Sequence, residues 1–342
     1  MEPAVVVITD CYTSLGGNQY VNSPGLGRYA DYLVEELVPF LGAHCNLVAG
    51  REGRGVFGKS SGGYGALYHA MHYPGIWGAA ASHAADMDFD LLFRSEFPTV
   101  CAVLAEFDGD PESFLRAFWR RNRPSGHDYT TLMILAMAAS YDPDPAAPSR
   151  IRLPFDLRTC QLEPERWSRW LQYDPLTMLD RRESALRSLH ALYIDVGRFD
   201  QYNIQFGTRR FADELGRRGI AHRFEEFDGT HSAIDWRLDH SLPWLAASLK
   251  SACAGVMAEA KKAQRQRDEA AGRCRFWSEK ADLAVSKGRD DLAREALVEK
   301  RRYHERSEIL ERELGDHSSL SDQYQEDIRQ LGHCLLEIGH EL

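Results

Sequence analysis

The sequence predicts an α/β sheet domain followed by an all-α coiled-coil hairpin. In the first part of the chain, short β-branched runs such as Val5–Ile8 and Leu192–Val196 alternate with helical patterns, and this alternation is typical of a sheet covered by helices. From Ser251 onward glycine is rare, proline is absent, and Ala, Glu, Lys, Arg and Leu dominate, as in long helices. We therefore predict two domains, 1–250 and 251–342, joined by a helix rather than by a flexible linker.

Composition argues against several classes of function. The chain has 342 residues and a net charge of −10, and its first domain lacks the clustered basic face that a nucleic-acid site needs. Seven cysteines are scattered without C-x-x-C spacing, so neither a disulfide framework nor a zinc site is indicated, and a reducing, cytoplasmic location is expected. We find no signal peptide and no apolar run of about 18 residues that could span a membrane. We predict no cofactor and no metal.

The stretch GKSSGG carries the strongest chemical signal in the chain. Gly58, Ser60 and Gly62 fit the pattern G-x-S-x-G, whereas Ser61 does not, because Lys59 would occupy its first glycine position. In this pattern the serine sits on a sharp strand-to-helix turn that exposes its hydroxyl above the sheet. The bare pattern also arises by chance in glycine-rich turns. The apolar run RGVF before it and the helical YGALYHAMHYP after it supply the strand and helix that a nucleophile needs.

A serine nucleophile needs a histidine to take its proton and an acid to orient that histidine. In such folds the three residues follow in the order Ser, Asp, His. Asp195 and Asp200 both follow the apolar run ALYI, and Asp200 is preferred because Asp195 still lies inside the strand pattern. His231 follows the next strand-like run, AHRFEEF, although His222 and His240 fit equally well by composition. A loop histidine or aspartate alone is weak evidence, but their order and strand-end placement favour Asp200 and His231.

These motifs resemble those of a known family. The segments GKSSGGYGAL, YIDVGRFDQYN and FDGTHSAIDWR are similar to the esterase D and enterochelin-esterase-like branch of the α/β hydrolases, and the similarity runs from about Val5 to Leu249. The resemblance implies an α/β-hydrolase fold and a serine esterase acting on small acyl esters. It also implies a catalytic triad of Ser60, Asp200 and His231.

The resemblance also bears on the expected level of activity. The N–H of Ser61 would be one donor of the oxyanion hole. In relatives a third strand and a glycine-bearing loop precede the counterpart of residues 4–17, and that loop gives the other donor. The sequence begins at this point, so we expect an N-terminally shortened fold, with residues 10–23 approaching the active site. Loss of one such donor costs about 10² to 10³ in turnover. The predicted function is a serine carboxylesterase of reduced activity, and the alternative is an inactive hydrolase-like scaffold.

A long stretch between Asp86 and Leu179 lies where such enzymes carry lids. Its aromatic side chains could line an acyl or alcohol pocket, but most are expected in an ordinary core. They are Phe89, Phe93, Phe97, Phe107, Phe114, Phe118, Trp119, Trp167 and Trp170.

The C-terminal part predicts a helical hairpin. The segment KGRDD separates two helical patterns, with Gly288 as a C-terminal stop and Asp290 as an N-cap. A heptad pattern, typical of a coiled coil, continues through the second helix. Its apolar positions are Ala296, Tyr303, Leu310, Leu314, Tyr324, Ile328, Leu331, Leu335, Ile338 and Leu342, with Lys300, Ser307, His317 and Ser321 as polar interruptions.

This part resembles a second family. Residues 258–342, most specifically Trp277–Lys300, are similar to the central hairpin of phage-shock protein A and its relatives, bacterial membrane-stress proteins that assemble into rods and rings. The resemblance implies a homo-oligomer built through the hairpin. That family binds membranes through an amphipathic helix ahead of the hairpin, and here the first domain takes that place, so membrane association does not follow.

Overall fold

The computed structural model describes residues 4–48, 50–147, 149–312 and 314. The chain divides into two compact units. The first contains the residues up to Cys45 together with Arg54–Leu249, and the second contains Asn46–Gly53 together with the residues from Lys250 onward.

A parallel sheet forms the centre of the first unit. The strands of the described part of the chain are β1 (Asn22–Ser23), β2 (Gly27–Arg28), β3 (Gly55–Lys59), β4 (Ala79–His83), β5 (Ala191–Gly197) and β6 (Arg223–Phe227). Strands β3 to β6 are parallel and lie side by side in chain order, whereas β1 and β2 form a separate antiparallel pair. All residues of β4 and β5 are buried, as expected for central strands covered on both faces. Parallel strands place their carboxyl ends at one edge, where sites form in this architecture.

Helices connect and cover these strands. Those that the structure describes are α1 (Tyr29–Asp31), α2 (Val38–His44), α3 (Ser61–His72), α4 (Phe89–Leu92), α5 (Phe97–Ala105), α6 (Pro111–Phe118), α7 (Gly126–Tyr141), α8 (Pro164–Leu171), α9 (Pro175–Arg187), α10 (Ile204–Arg217), α11 (Leu238–Ser286) and α12 (290–312). A π-helical turn, Tyr32–Leu37, joins α1 to α2. The crossovers β3–α3–β4 and β5–α10–β6 give the α/β fold that the sequence predicts.

The aromatic stretch between β4 and β5 builds the hydrophobic core. Phe89, Phe93, Phe97, Phe114, Phe118, Trp167 and Trp170 are all buried in it. Phe107 is half-buried against this core, and Trp119 is exposed. The interpretation of these residues as ordinary core is therefore correct for nearly all of them.

The run Val5–Ile8 is not a strand, contrary to the sequence prediction. Its residues form no regular structure, and Val5, Val6 and Ile8 are 56%, 52% and 91% exposed. β-branched residues favour strands because they pack on a pleated, half-buried surface. A strand also requires a neighbour to pair with its backbone, and within the described residues this run pairs with none.

The second unit contains a helical hairpin. Both helices carry buried or half-buried residues at alternating intervals of three and four, which is the heptad spacing of a coiled coil. The positions are Cys253, Val256, Ala260, Ala263, Arg267, Ala270, Cys274, Trp277, Ala281 and Ala284 on α11, and Ala293, Ala296, Lys300, Tyr303, Ser307, Leu310 and Leu314 on the second arm. Lys300 Nζ donates to Ser278 Oγ at 3.1 Å across the hairpin. The heptad positions expected beyond Leu314 lie outside the described residues.

The turn of the hairpin follows the sequence closely, with one correction. Gly288 has φ +65°, the left-handed conformation that ends a helix. The backbone N–H of Ala293 donates to the carbonyl of Arg289, so Arg289 is the N-cap and Asp290 is the first helical residue. The predicted cap was wrong by one position, because the first hydrogen bond and not residue preference fixes a helix boundary.

Among the described helices, none is long and apolar enough to cross a membrane.

Candidate active site

Ser60 occupies a strained turn between β3 and α3. Its φ of 57° is uncommon for a residue with a side chain, and its N–H donates to the carbonyl of His83 at 2.8 Å. A Cβ on Gly58 would lie 2.4 Å from the backbone of Gly62, and one on Gly63 would lie 2.7 Å from the carbonyl oxygen of His83. The turn therefore needs glycine at positions 58 and 63, where backbone segments approach most closely, and it leaves the Ser60 side chain half-buried.

The structure brings Ser60, His231 and Asp200 together. His231 Nε2 is 2.9 Å from Ser60 Oγ, and His231 Nδ1 is 2.8 Å from Asp200 Oδ2. Ser60 follows β3, Asp200 follows β5, and His231 follows β6, so all three lie at the carboxyl edge of the parallel sheet. Asp200 and His231 are buried, with 3% and 8% of their surface exposed.

Further hydrogen bonds hold this pair in place. The backbone N–H of Tyr202 donates to the second oxygen of Asp200 at 2.9 Å, and Gln201 Oε1 accepts from the backbone N–H of His231 at 3.0 Å. Because an ionised carboxylate can only accept, the proton of a neutral His231 lies on Nδ1. Nε2 is then the basic nitrogen and faces the Ser60 hydroxyl, which is the orientation that proton abstraction requires.

The alternatives that composition left open lie elsewhere. Asp195 is completely buried and bonds to His83 and Arg237. His222 contacts the carbonyl of Ile220 at 2.8 Å, and His240 lies in α11 with its ring against Trp236. Within the described residues, none of these three bonds to Ser60.

Ser61 is the first residue of α3. The N–H groups of a helix's first turn have no intrahelical partner and favour negative charge. The Ser61 N–H thus belongs to a local environment suited to an oxyanion. The Ser61 side chain accepts a hydrogen bond from Gln19 Nε2 at 3.1 Å, which brings the segment before β1 against the residue that follows Ser60.

Sequence reasoning missed a buried carboxyl group beside the triad. Asp86, which is 6% exposed, accepts from Gln19 Nε2 at 3.2 Å. Burial raises the pKa of Asp86 to about 6, with a further contribution from the charge of Asp200 that is offset by His231 and Gln19. The signal for it was positional, since Asp86 closely follows β4 at the same sheet edge as the triad. In the described part of the chain, no cluster of His, Cys, Asp and Glu could hold a metal ion.

A serine on a strand-to-helix turn, with an aspartate and a histidine after later strands of a parallel sheet, is the arrangement of the α/β hydrolases. Comparison with known families agrees with this class. Residues 9–242 match the sequence model of the putative esterase family, and residues 246–341 match that of the PspA/IM30 family. The chain belongs to the putative esterase family and carries a PspA/IM30 segment after the esterase domain.

Several solved structures are similar at low identity. A ferulic acid esterase is 17% identical, with 68% of this chain and 64% of that chain covered and a TM-score of 0.41. The fluorophosphonate-binding serine hydrolase FphF of Staphylococcus aureus is 16% identical, with 67% and 68% covered and a TM-score of 0.41. The S-formylglutathione hydrolase FrmB of the same organism is 16% identical, with 64% of each chain covered and a TM-score of 0.39. The chain thus spans about two thirds of the length of each.

Proposed function

We propose that the protein is a serine carboxylesterase that hydrolyses small acyl esters through an acyl-enzyme. The observation that supports this most is the continuous hydrogen-bond chain from Ser60 Oγ through His231 to Asp200, with distances of 2.9 and 2.8 Å. Membership of the esterase family agrees with it.

The proposed acylation step uses each of these groups once. Ser60 Oγ attacks the ester carbonyl carbon while His231 Nε2 takes the hydroxyl proton, and Asp200 stabilises the resulting imidazolium. The Ser61 N–H donates to the oxyanion of the tetrahedral intermediate. When the intermediate collapses, the bond to the alcohol oxygen breaks and His231 returns its proton to that oxygen.

The proposed deacylation step repeats this chemistry with water. His231 takes a proton from water, the hydroxide oxygen attacks the acyl carbon, and Ser60 leaves as the free hydroxyl after receiving the proton back. The acid is released and the enzyme returns to its starting state. Each proton that His231 takes up is given back within the same step, so the proposed reaction balances with these residues and water.

Labelling with a fluorophosphonate and release of p-nitrophenol from p-nitrophenyl acetate test the proposal. We expect the reagent to label Ser60, and we expect Ser60→Ala and His231→Ala to lower turnover by about a thousandfold or more. His222→Ala is the matched control, because this histidine lies away from Ser60, and it should keep full activity. A folded wild-type protein that is neither labelled nor active above Ser60→Ala would support a scaffold without catalysis.

We further propose that the chain self-associates through the hairpin. Several apolar side chains of α12 lie outside the heptad positions and are exposed. Leu292, Leu297, Val298 and Ile309 are between 42% and 67% exposed. Burial of such exposed apolar surface against a second copy favours association, and the PspA/IM30 match over this segment agrees with an assembling hairpin.

A further inference from the structure

A second serine–histidine–aspartate arrangement lies inside the first unit. His83 Nδ1 is 2.8 Å from Asp195 Oδ1, and His83 Nε2 is 2.9 Å from Ser241 Oγ. These distances match those of the triad. His83 is 1% exposed, and Asp195 and Ser241 are 0% exposed, so no substrate can reach this serine, and a role as a second nucleophile is excluded.

Arg237 completes this group. Its Nε donates to Asp195 Oδ2 at 2.7 Å, and its Nη2 donates to the Tyr193 hydroxyl at 2.5 Å and to Glu225. The guanidinium carbon also lies 4.8 Å from the ring centres of both Phe227 and Trp236. Arg237 is only 4% exposed, and its charge is fully paired. We call His83, Asp195, Arg237 and Ser241 the buried network.

Two members of the buried network, His83 and Asp195, lie side by side on neighbouring strands of the sheet. Strand register places Lys59 beside His83, His83 beside Asp195, and Asp195 beside Glu225. Lys59 and His83 end their strands, whereas Asp195 and Glu225 each lie two residues before the end of theirs. This row therefore lies within two residues of the strand ends from which the three triad loops continue.

Each triad residue is connected to the buried network through a short length of backbone. The N–H of Ser60 donates to the carbonyl of His83, which ties the nucleophile turn to β4. Asp195 lies five residues before Asp200 on the same strand and loop, and Arg237 lies six residues after His231. His83, Asp195 and Arg237 are thus each within one backbone hydrogen bond or six residues of a triad residue.

We propose that the buried network positions the triad, and that its members are positioning residues which never touch substrate. Its hydrogen bonds fix β4, β5, β6 and the segment after β6 to one another close to the triad. This inference rests on the proposed esterase function. Productive geometry must be held closely, since a misplacement of about 1 Å can cost about a hundredfold in rate.

Asp195→Asn tests this proposal against a matched control, Asp142→Asn. Asp142 is also a buried aspartate, 4% exposed, and it is held by two cations, Arg152 and Arg169. Neither of these arginines is in the buried network. Both substitutions break a buried charged pair and should lower the midpoint of thermal unfolding.

The readouts are kcat and KM for p-nitrophenyl acetate and the rate of fluorophosphonate labelling of Ser60, measured well below the unfolding midpoint of each variant. We expect Asp195→Asn to lower kcat and the labelling rate by at least about tenfold with KM within about twofold, and Asp142→Asn to change neither. Equal kcat values for both variants would overturn the inference while leaving the esterase function intact. A wild type that is not labelled at all would overturn the proposed function itself.

If the Asp195→Asn variant does not fold, Ser241→Ala is the second variant that tests the positioning role. This change removes one hydroxyl and keeps every charge, and it should lower the labelling rate by about threefold or more, because His83 loses one of its two partners. Ser140→Ala is its control, since Ser140 is also buried and its hydroxyl donates to the Ala136 carbonyl within α7. Ser241→Ala and Ser140→Ala variants with the wild-type labelling rate would refute the positioning role.

Discussion

Asp86 is a buried carboxyl group that stays beside the triad at a cost in stability. Its pKa rises from 3.8 to about 6, chiefly because burial disfavours the charged form. A carboxyl group whose pKa is higher in the folded protein than in the unfolded chain makes the free energy of unfolding fall as the pH rises. This fall begins near the pKa of the unfolded chain and is complete above the pKa of the folded protein. Asp86 therefore destabilises the protein progressively between about pH 4 and pH 7.

Replacing Asp86 with asparagine should remove this pH-dependent cost. The difference between the two pKa values corresponds to roughly 3 kcal/mol above pH 7, so Asp86→Asn should be more stable than wild type at pH 7.5 by up to this amount and should lose the advantage near pH 4. Urea unfolding at both pH values measures the effect. Asp213→Asn, an exposed change on α10, should stay within about 0.5 kcal/mol of wild type throughout. An advantage that is the same at both pH values would contradict the explanation.

Which site residues could be predicted from the sequence depends on whether a local pattern marks them. Ser60 lies in a glycine pattern, and Asp200 and His231 follow recognisable strands in the expected order. Gln19 and His83 belong to no motif, because their significance comes from contacts with residues 42 and 112 positions away. Such contacts depend on the folded sheet, and single-sequence patterns do not contain them.

At the scale of elements, the junction of β3 and α3 limits which residues can stand in the turn around Ser60. A Cβ at Gly63 would lie 2.7 Å from the carbonyl oxygen and 3.1 Å from the nitrogen of His83, whereas the nearest atom to a Cβ at Gly62 is 3.9 Å away. Both glycines stand in the first turn of α3. The pattern G-x-S-x-G includes Gly62, but the close packing of α3 on β4 is at Gly63.

This difference gives a matched pair of substitutions. Gly63→Ala should push α3 from β4, lower stability by about 2 kcal/mol, and reduce ester turnover by about tenfold or more because His83 also accepts from Ser60. Gly62→Ala should be tolerated, since alanine favours a helix by up to about 1 kcal/mol. Thermal unfolding and p-nitrophenol release compare the two. A Gly62→Ala variant that is as damaged as Gly63→Ala would show that the crowding has another origin.

Elements with a clear periodicity or a long apolar run can be predicted from the sequence. Whether a single β-branched run forms a strand cannot. The buried strand around Leu192–Val196 follows from an apolar run, and the half-buried strand Arg223–Phe227 follows from its place after a helical pattern. Val5–Ile8 has equal β-propensity but no neighbour to pair with, and pairing is a property of the whole sheet. The hairpin was predictable to one residue, because Gly288 and the heptads act locally.

At the scale of the whole molecule, the hairpin presents apolar side chains that its own heptad seam does not use. Leu297 and Val298 are 50% and 67% exposed on α12, next to the buried seam residue Ala296. The seam contains many alanines together with a few larger residues such as Trp277, Tyr303 and Leu310. Leu297 and Val298 lie outside the seam, where a second copy of the chain could cover them.

We expect the full chain to be oligomeric. The double variant Leu297→Gln with Val298→Gln should weaken that association by about tenfold or more, because glutamine removes apolar surface from the contact. Glutamine is also a good helix former, so α12 itself should be kept. Light scattering coupled to gel filtration over a range of concentrations measures the mass. Arg294→Gln with Glu295→Gln is the matched control, since both residues are exposed on the same helix and the pair leaves the net charge unchanged, so the control should associate as the wild type does. A wild-type chain that stays monomeric at every concentration refutes the expectation. An oligomer that survives the Leu297 and Val298 changes would show that these two residues are not part of the interface.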